Sequence, residues 1–166
     1  MRRTSFRKMH CPIARSLERV GEWWSILILR DALHGFRRFE EFRESLGVAP
    51  NILTTRLAAL VEAGFLEKRR YSAHPPRYEY VPTQAARDFR PVLLSLMAFG
   101  NKHFAPEGAM VEVVDIRTGK AADIAAFDRA TGEPIAAPNY QMVPGPAANA
   151  RIRKRYARRD VEEGAA

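Results

Sequence analysis

Four polar side chains, Asn51, Thr54, Thr55 and Arg56, are interleaved with Leu53 and Leu57 in a stretch opened by Pro50 and closed by Gly64. On a helix the leucines share one face, which leaves the polar set on the other. Such an edge suits hydrogen bonding rather than bond breaking. An arginine fork matches the major-groove edge of guanine, an asparagine carboxamide that of adenine, and threonine reaches phosphate or a thymine methyl. Arg37 and Arg38 before this stretch, and His74 and Arg77 after it, are suited to a sugar-phosphate backbone or a minor groove. Each residue also has a plainer reading. Asn51 near a helix start bonds local backbone, and an exposed Thr-Thr-Arg is an ordinary solvated face. The joint pattern carries the expectation.

Catalytic chemistry finds little support. The sequence contains no GxGxxG, no GxxxxGK[ST] and no HExxH, and the Gly119-Lys120 pair lacks the flanking residues of a phosphate loop. His10, His34, His74 and His103 are dispersed, and His10 beside Cys11 does not make a base and nucleophile, because adjacent helical residues diverge. No enzyme, cofactor or metal site is therefore expected. Cys11, the single cysteine, excludes an internal disulfide framework and fits a reducing compartment. It reads either as a small packed residue or as a thiol activated by Arg7, Lys8 and Arg15.

The chain has 166 residues and a net charge of +8. That length suits one domain with an appendage and excludes a large multidomain enzyme. With 46% hydrophobic and 28% charged residues, it can bury a core. Positive charge concentrates at 1–107, with 18 basic and 11 acidic residues, and at 151–166, with 6 and 3. This distribution favours a polyanionic partner. The longest apolar stretch, residues 23–29, is too short to cross a bilayer, and early charges argue against a secretory leader; a cytoplasmic protein with no membrane partner is expected.

Apolar periodicity predicts a first helix with the stripe Ile13, Leu17, Val20, Trp24, a core helix over 23–33, a short helix around Phe39, Phe42 and Leu46, and a fourth over 50–63. Residues 65–71 and 77–81 then read as two strands joined by a Ser-Ala-His-Pro-Pro turn. Thr83 is expected to cap a final helix reaching Phe104, broken near Pro91. Residues 108–150 contain a repeated turn, Asp-Ile-Arg-Thr-Gly-Lys at 115–120 and Asp-Arg-Ala-Thr-Gly-Glu at 128–133. These predict two hairpins in a small sheet, packed through Val111, Val113, Ile116, Ile124 and Phe127. Residues 139–150 read as a linker, and 151–159 as a basic run that either frays or adds unspecific phosphate attraction.

The segments around Cys11-Pro12, 24–30, Arg38-Phe39 with Glu41, 53–64, and 76–80 resemble the HxlR family of bacterial winged-helix transcriptional regulators. The resemblance covers about residues 11–104. It implies a homodimer paired through the first and last helices, here Ile13, Leu17, Val92, Leu96 and Phe99. It also implies a DNA-reading set of Arg37, Arg38, Pro50, Asn51, Thr54, Thr55, Arg56, His74 and Arg77. Two positions depart from the pattern: Ala49 replaces a polar helix cap and Ala86 a turn glycine. Some members use a thiol near Cys11 as a sensor, although two-cysteine switching does not transfer to a chain with one cysteine. The extension resembles a zinc ribbon that has lost its cysteines, with Thr118 and Thr131 in their place, and it is expected to bind no metal.

The expected architecture is mainly α with small β. It comprises a winged helix-turn-helix domain at 1–107, a small β-hairpin extension at 108–138, and a linker with a basic tail at 139–166. The expected function is sequence-specific binding of double-stranded DNA by a homodimeric repressor on a roughly palindromic operator, with the effector undefined. The alternatives are a winged-helix protein-interaction module and a redox-sensing regulator using Cys11.

Overall fold

A computed structural model describes residues 5–157. Contacts divide the chain into two units, Arg19–Ile124 and a second formed by Met1–Glu18 with Ala125–Ala166. The elements run α1 (Pro12–Val20), α2 (Trp23–Leu33), α3 (Phe39–Leu46), α4 (Pro50–Glu62), β1 (Leu66–Ser72), β2 (Arg77–Pro82), α5 (Gln84–Asp88), α6 (Arg90–Phe104) and α7 (Ala150–Ala157). This mainly helical fold with a two-stranded antiparallel sheet is the one expected for a winged helix-turn-helix.

The core forms where the apolar faces of α2, α3 and α4 meet. Ile28 and Leu29 from α2, Phe42 from α3, and Leu53, Leu57 and Leu60 from α4 are fully buried. Val48, in the turn between α3 and α4, joins them, so the turn is anchored as well as short. Phe36 and Tyr80 both pack edge-on against Phe42, with ring centroids 6.4 and 6.5 Å away. Within this apolar set lies one buried carboxylate. Asp31 accepts from Arg30 Nε at 2.8 Å and from Ser45 Oγ at 2.7 Å, joining α2 to the end of α3.

Backbone geometry supplies the stops. Gly47 closes α3 at φ +59° and Gly64 follows α4 at φ +78°, where a side chain would be strained although neither site is crowded. After α4 the Phe65 N–H reaches back to Leu60 O at 2.9 Å, a Schellman-type closure. α3 starts on a carboxylate: Glu41 accepts the N–H groups of Arg37 and Arg38 at 2.7 and 2.8 Å. These backbone donors, Arg38 first, hold its carboxyl below the ordinary glutamate range.

The strands pair with Leu66 opposite Pro82 and Arg70 opposite Tyr78, and a bulge lies between Arg70 and Ser72. Tyr80 N–H donates to Arg37 O at 2.8 Å, and Arg38 bridges Glu79, so the segment before α3 lies along the edge of β2. The helix break expected near Pro91 occurs at Phe89, which ends α5 and precedes α6. Thr83 precedes α5 but does not cap it with its side chain. Its hydroxyl instead donates to Gly64 O at 2.6 Å, a bond made available by the adjacent end of α4.

Two further expectations are corrected. The small sheet at 108–138 does not form among the described residues: each repeated turn is closed by one bridge, Val114 to Ala121 and Phe127 to Pro134. The arms are short and lack apolar cover, with Val111, Val114 and Phe127 all exposed. Each turn is held locally: Asp115 and Asp128 accept the N–H two residues on, and Thr118 and Thr131 accept those of Lys120 and Glu133. The basic run, expected to fray as a tail or serve as an irregular arm, forms α7 over residues 150–157, capped where Asn149 Oδ1 accepts the Ile152 N–H at 3.0 Å. Arg158 and Arg159 lie outside the described residues.

Replacing Glu41 by Gln should lower stability at pH 7. Because its folded pKa is depressed, the gap between wild type and variant should persist down to the ordinary glutamate value of about 4.3 and close as pH falls through the lower folded value. Urea melts across this range measure it. A gap independent of pH would show that the carboxylate does not cap α3.

Candidate nucleic-acid interface

α4 has two faces. Leu53, Leu57 and Leu60 are buried, whereas Asn51, Ile52, Thr54, Thr55 and Ala58 meet solvent. Pro50 opens the helix at its first position, where proline's fixed φ is suitable and its missing N–H is not needed. Ala49 makes no side-chain cap there, as its type requires. Thr54 and Thr55 each donate their hydroxyl to the carbonyl four residues back, Pro50 O and Asn51 O, both at 2.8 Å. Each oxygen keeps acceptor capacity, and the exposed edge is compact and polar.

Arg56 departs from the expected edge. Its guanidinium meets Glu22 at 3.1 Å, with the two side chains 26% and 23% exposed, and its buried Nε has no acceptor among the described residues. Arg56 therefore ties α4 to the residue preceding α2 instead of standing beside Asn51. Arg37 is likewise corrected. Its Nη1 donates to Ala32 O at 2.6 Å and Phe36 O at 2.8 Å, adding a second donor to a carbonyl at the end of α2 that also accepts the Gly35 N–H at 3.2 Å. Arg38 is exposed and stacks over the Tyr71 ring at 5.0 Å, which carries its charge toward the hairpin.

The hairpin tip displays the remaining predicted residues, His74 and Arg77, both exposed. Arg70 braces the tip by donating to Ser72 O at 3.0 Å and Ala73 O at 2.6 Å. Lys68 lies 4.3 Å over the Tyr78 ring, and Arg69 pairs with Glu67 at 2.7 Å. The structure thus brings Asn51, Thr54 and Thr55 together on one helix edge. It displays Arg38, His74 and Arg77 on flanking segments and assigns Arg37 and Arg56 to the body.

The helices expected to pair subunits expose apolar residues. Ile13 and Leu17 on α1, and Val92, Leu96 and Phe99 on α6, all meet solvent in the single chain. Cys11 lies at the start of α1, with its sulfur close to the backbone N–H groups of Ala14 and Ile13 and to Arg155 of α7. Hydrogen bonding from Ala14, then Ile13, together with the Arg155 charge, holds its thiol below the ordinary range.

Sequence reasoning missed Glu22, Tyr71 and Tyr78. Nothing in the sequence joins Glu22 to Arg56, because the pair depends on the crossing of α2 and α4. The aromatic content of the strands did mark Tyr78 as a strand residue, although not as a seat for Lys68.

The model of the HxlR-like helix-turn-helix proteins matches residues 19–108, more than half of the chain. The chain belongs to the HxlR-like helix-turn-helix family. It is 38% identical over 141 residues to the HTH-type transcriptional regulator Rv3095 of Mycobacterium tuberculosis, itself uncharacterized, covering 84% of this chain and 89% of the relative. Among solved structures it is similar to PA1374 of Pseudomonas aeruginosa, described as a candidate transcription factor, with 53% identity, TM-score 0.64, and coverage of 87% of this chain and 99% of that one. It is also similar to PA1607, described in the same terms, with 35% identity, TM-score 0.74, and coverage of 86% and 100%. A redox regulator, HypR in its reduced form, matches at 27% identity and TM-score 0.53, over 55% of this chain and 92% of that one.

Replacing Glu22 by Ala should destabilise the fold by about 1 to 3 kcal/mol, less than breaking a fully buried pair, because a quarter of each side chain still meets water. Replacing Arg56 should cost a similar amount. Chemical denaturation checks both, and unchanged stability would return Arg56 to the exposed edge.

Proposed function

We propose that this protein is a DNA-binding transcriptional regulator that acts in the cytoplasm as a homodimer and represses transcription from a roughly palindromic operator. The observation that carries this reading is the division of α4 into a buried leucine face and an exposed edge of Asn51, Thr54 and Thr55, which fits a major groove. Asn51 is the proposed base reader, with adenine as its natural partner. Thr54 and Thr55 contact phosphate or a thymine methyl, and Arg38, His74 and Arg77 contact the backbone on either side. Pro50 fixes the approach of α4.

Pairing through the exposed apolar residues of α1 and α6 would hide surface that otherwise meets water. A two-fold dimer then presents two copies of α4 to successive turns of one duplex face, about 34 Å apart. Repression follows if such a footprint overlaps a promoter. The extension fits a ribbon-like remnant held by its Asp and Thr turn bonds rather than by a metal.

Hydroxyl-radical footprinting on the DNA upstream of the protein's own gene should give two protected patches about one helical turn apart. Asn51→Ala should lower operator affinity by about 1 to 3 kcal/mol and relax preference at one base position. Binding with no preference over bulk duplex would instead favour a protein-interaction module.

Cys11 favours one addition, regulation by thiol chemistry. The backbone N–H groups of Ala14 and Ile13 and the charge of Arg155 stabilise its thiolate, the reactive form. The rate of alkylation by iodoacetamide should therefore rise with pH through a midpoint below the ordinary thiol value of about 8.5, and Arg155→Ala should move that midpoint up. An ordinary midpoint unaffected by Arg155 would leave Cys11 as a packing residue.

A further inference from the structure

α7 carries four basic side chains, Arg151, Arg153, Lys154 and Arg155, and no acidic one. Formation of a helix sorts them. Ile152 and Tyr156, four residues apart, share one half-buried face. Arg151, Lys154 and Arg155 stand at i, i+3 and i+4 and form a stripe on another, all exposed. The Asn149 cap fixes where the helix begins, and with it which residues share the stripe.

We infer that α7 is a second nucleic-acid-binding element, whose stripe of Arg151, Lys154 and Arg155 contacts the phosphate backbone of duplex DNA without reading its sequence. This inference rests on the DNA-binding reading proposed above. Charge complementarity identifies the partner: three cations on adjacent turns meet a polymer carrying one negative charge about every 1.7 Å of axis. An anionic membrane surface is the competing polyanion. Interfacial helices need a broad apolar face, whereas the apolar face here is limited to Ile152 and Tyr156, both already half-covered. The stripe carries donors alone, on long side chains that meet solvent, and such donors bind phosphate oxygens whatever the base sequence.

The test compares the full-length protein with the variant Arg151→Gln/Lys154→Gln/Arg155→Gln on a labelled fragment from upstream of its gene and on random-sequence duplex, over a range of salt concentrations. Each phosphate contact adds about 0.9 to the slope of log K against log salt, so the variant's slope should be shallower by about 2 to 3 for each chain bound, about 5 for the proposed dimer, on both duplexes, with site preference unchanged. A variant with Lys at all three positions should restore the slope, which separates charge from helix packing, and circular dichroism should show both variants folded. Equal slopes for wild type and the Gln variant would overturn the assignment. Tighter binding of wild type than of the Gln variant to phosphatidylglycerol vesicles, with equal slopes on DNA, would transfer the element to a membrane role and overturn it too. If wild type shows no preference for any duplex sequence, the regulator reading fails, whereas the salt slope still decides the role of α7.

Discussion

The burial of Leu53, Leu57 and Leu60 against the apolar residues of α2 is the constraint on which the remaining structure depends. A helix reads a groove only when its roll about its own axis is fixed, because a rotation of one residue position, about 100°, would exchange Thr54 for a leucine. Three fully covered leucines, with Val48 anchoring the turn before them, resist that rotation through the apolar area they would expose. The Glu22–Arg56 pair adds a directional bond across the same contact. Affinity for a duplex therefore depends first on residues that never touch it.

Much of this was legible in the sequence because it rests on periodicity and on backbone-specific residues. The leucine spacing gave the buried face of α4, Pro50 and Gly64 its limits, and the Tyr-rich stretch the second strand. What escaped was the direction of long side chains. Arg37 and Arg56 look like readers by type, yet one bonds the end of α2 and the other a carboxylate from a different element. An arginine reaches far enough that its partner is set by how helices cross, which local spacing does not encode. Asn51 and the threonines, with short side chains, stand where their position on the helix puts them.

The extension failed for a different reason. The turn signals at Asp115 and Asp128 hold, because both turns form through their own carboxylates and hydroxyls. A strand, however, needs a partner and an apolar face in addition to a turn, and here the flanking arms leave Val114 and Phe127 in solvent. In the tail, by contrast, Asn149 was a cap signal placed at the end of what reads as a linker, and the helix it starts occupies residues expected to remain irregular.

The hydroxyl of Thr83 has a mechanical consequence. By holding Gly64 O at 2.6 Å, it joins the hinge behind α4 to the residue that launches α5, while the Phe65 and Phe89 rings meet edge-on at 6.2 Å beside it. Any tilt of α6 pulls on this clasp rather than dissipating in a loose loop. Displacement of α6 would thus reach α4 through its trailing end, so that a single threonine acts as the coupling pin between the two helices.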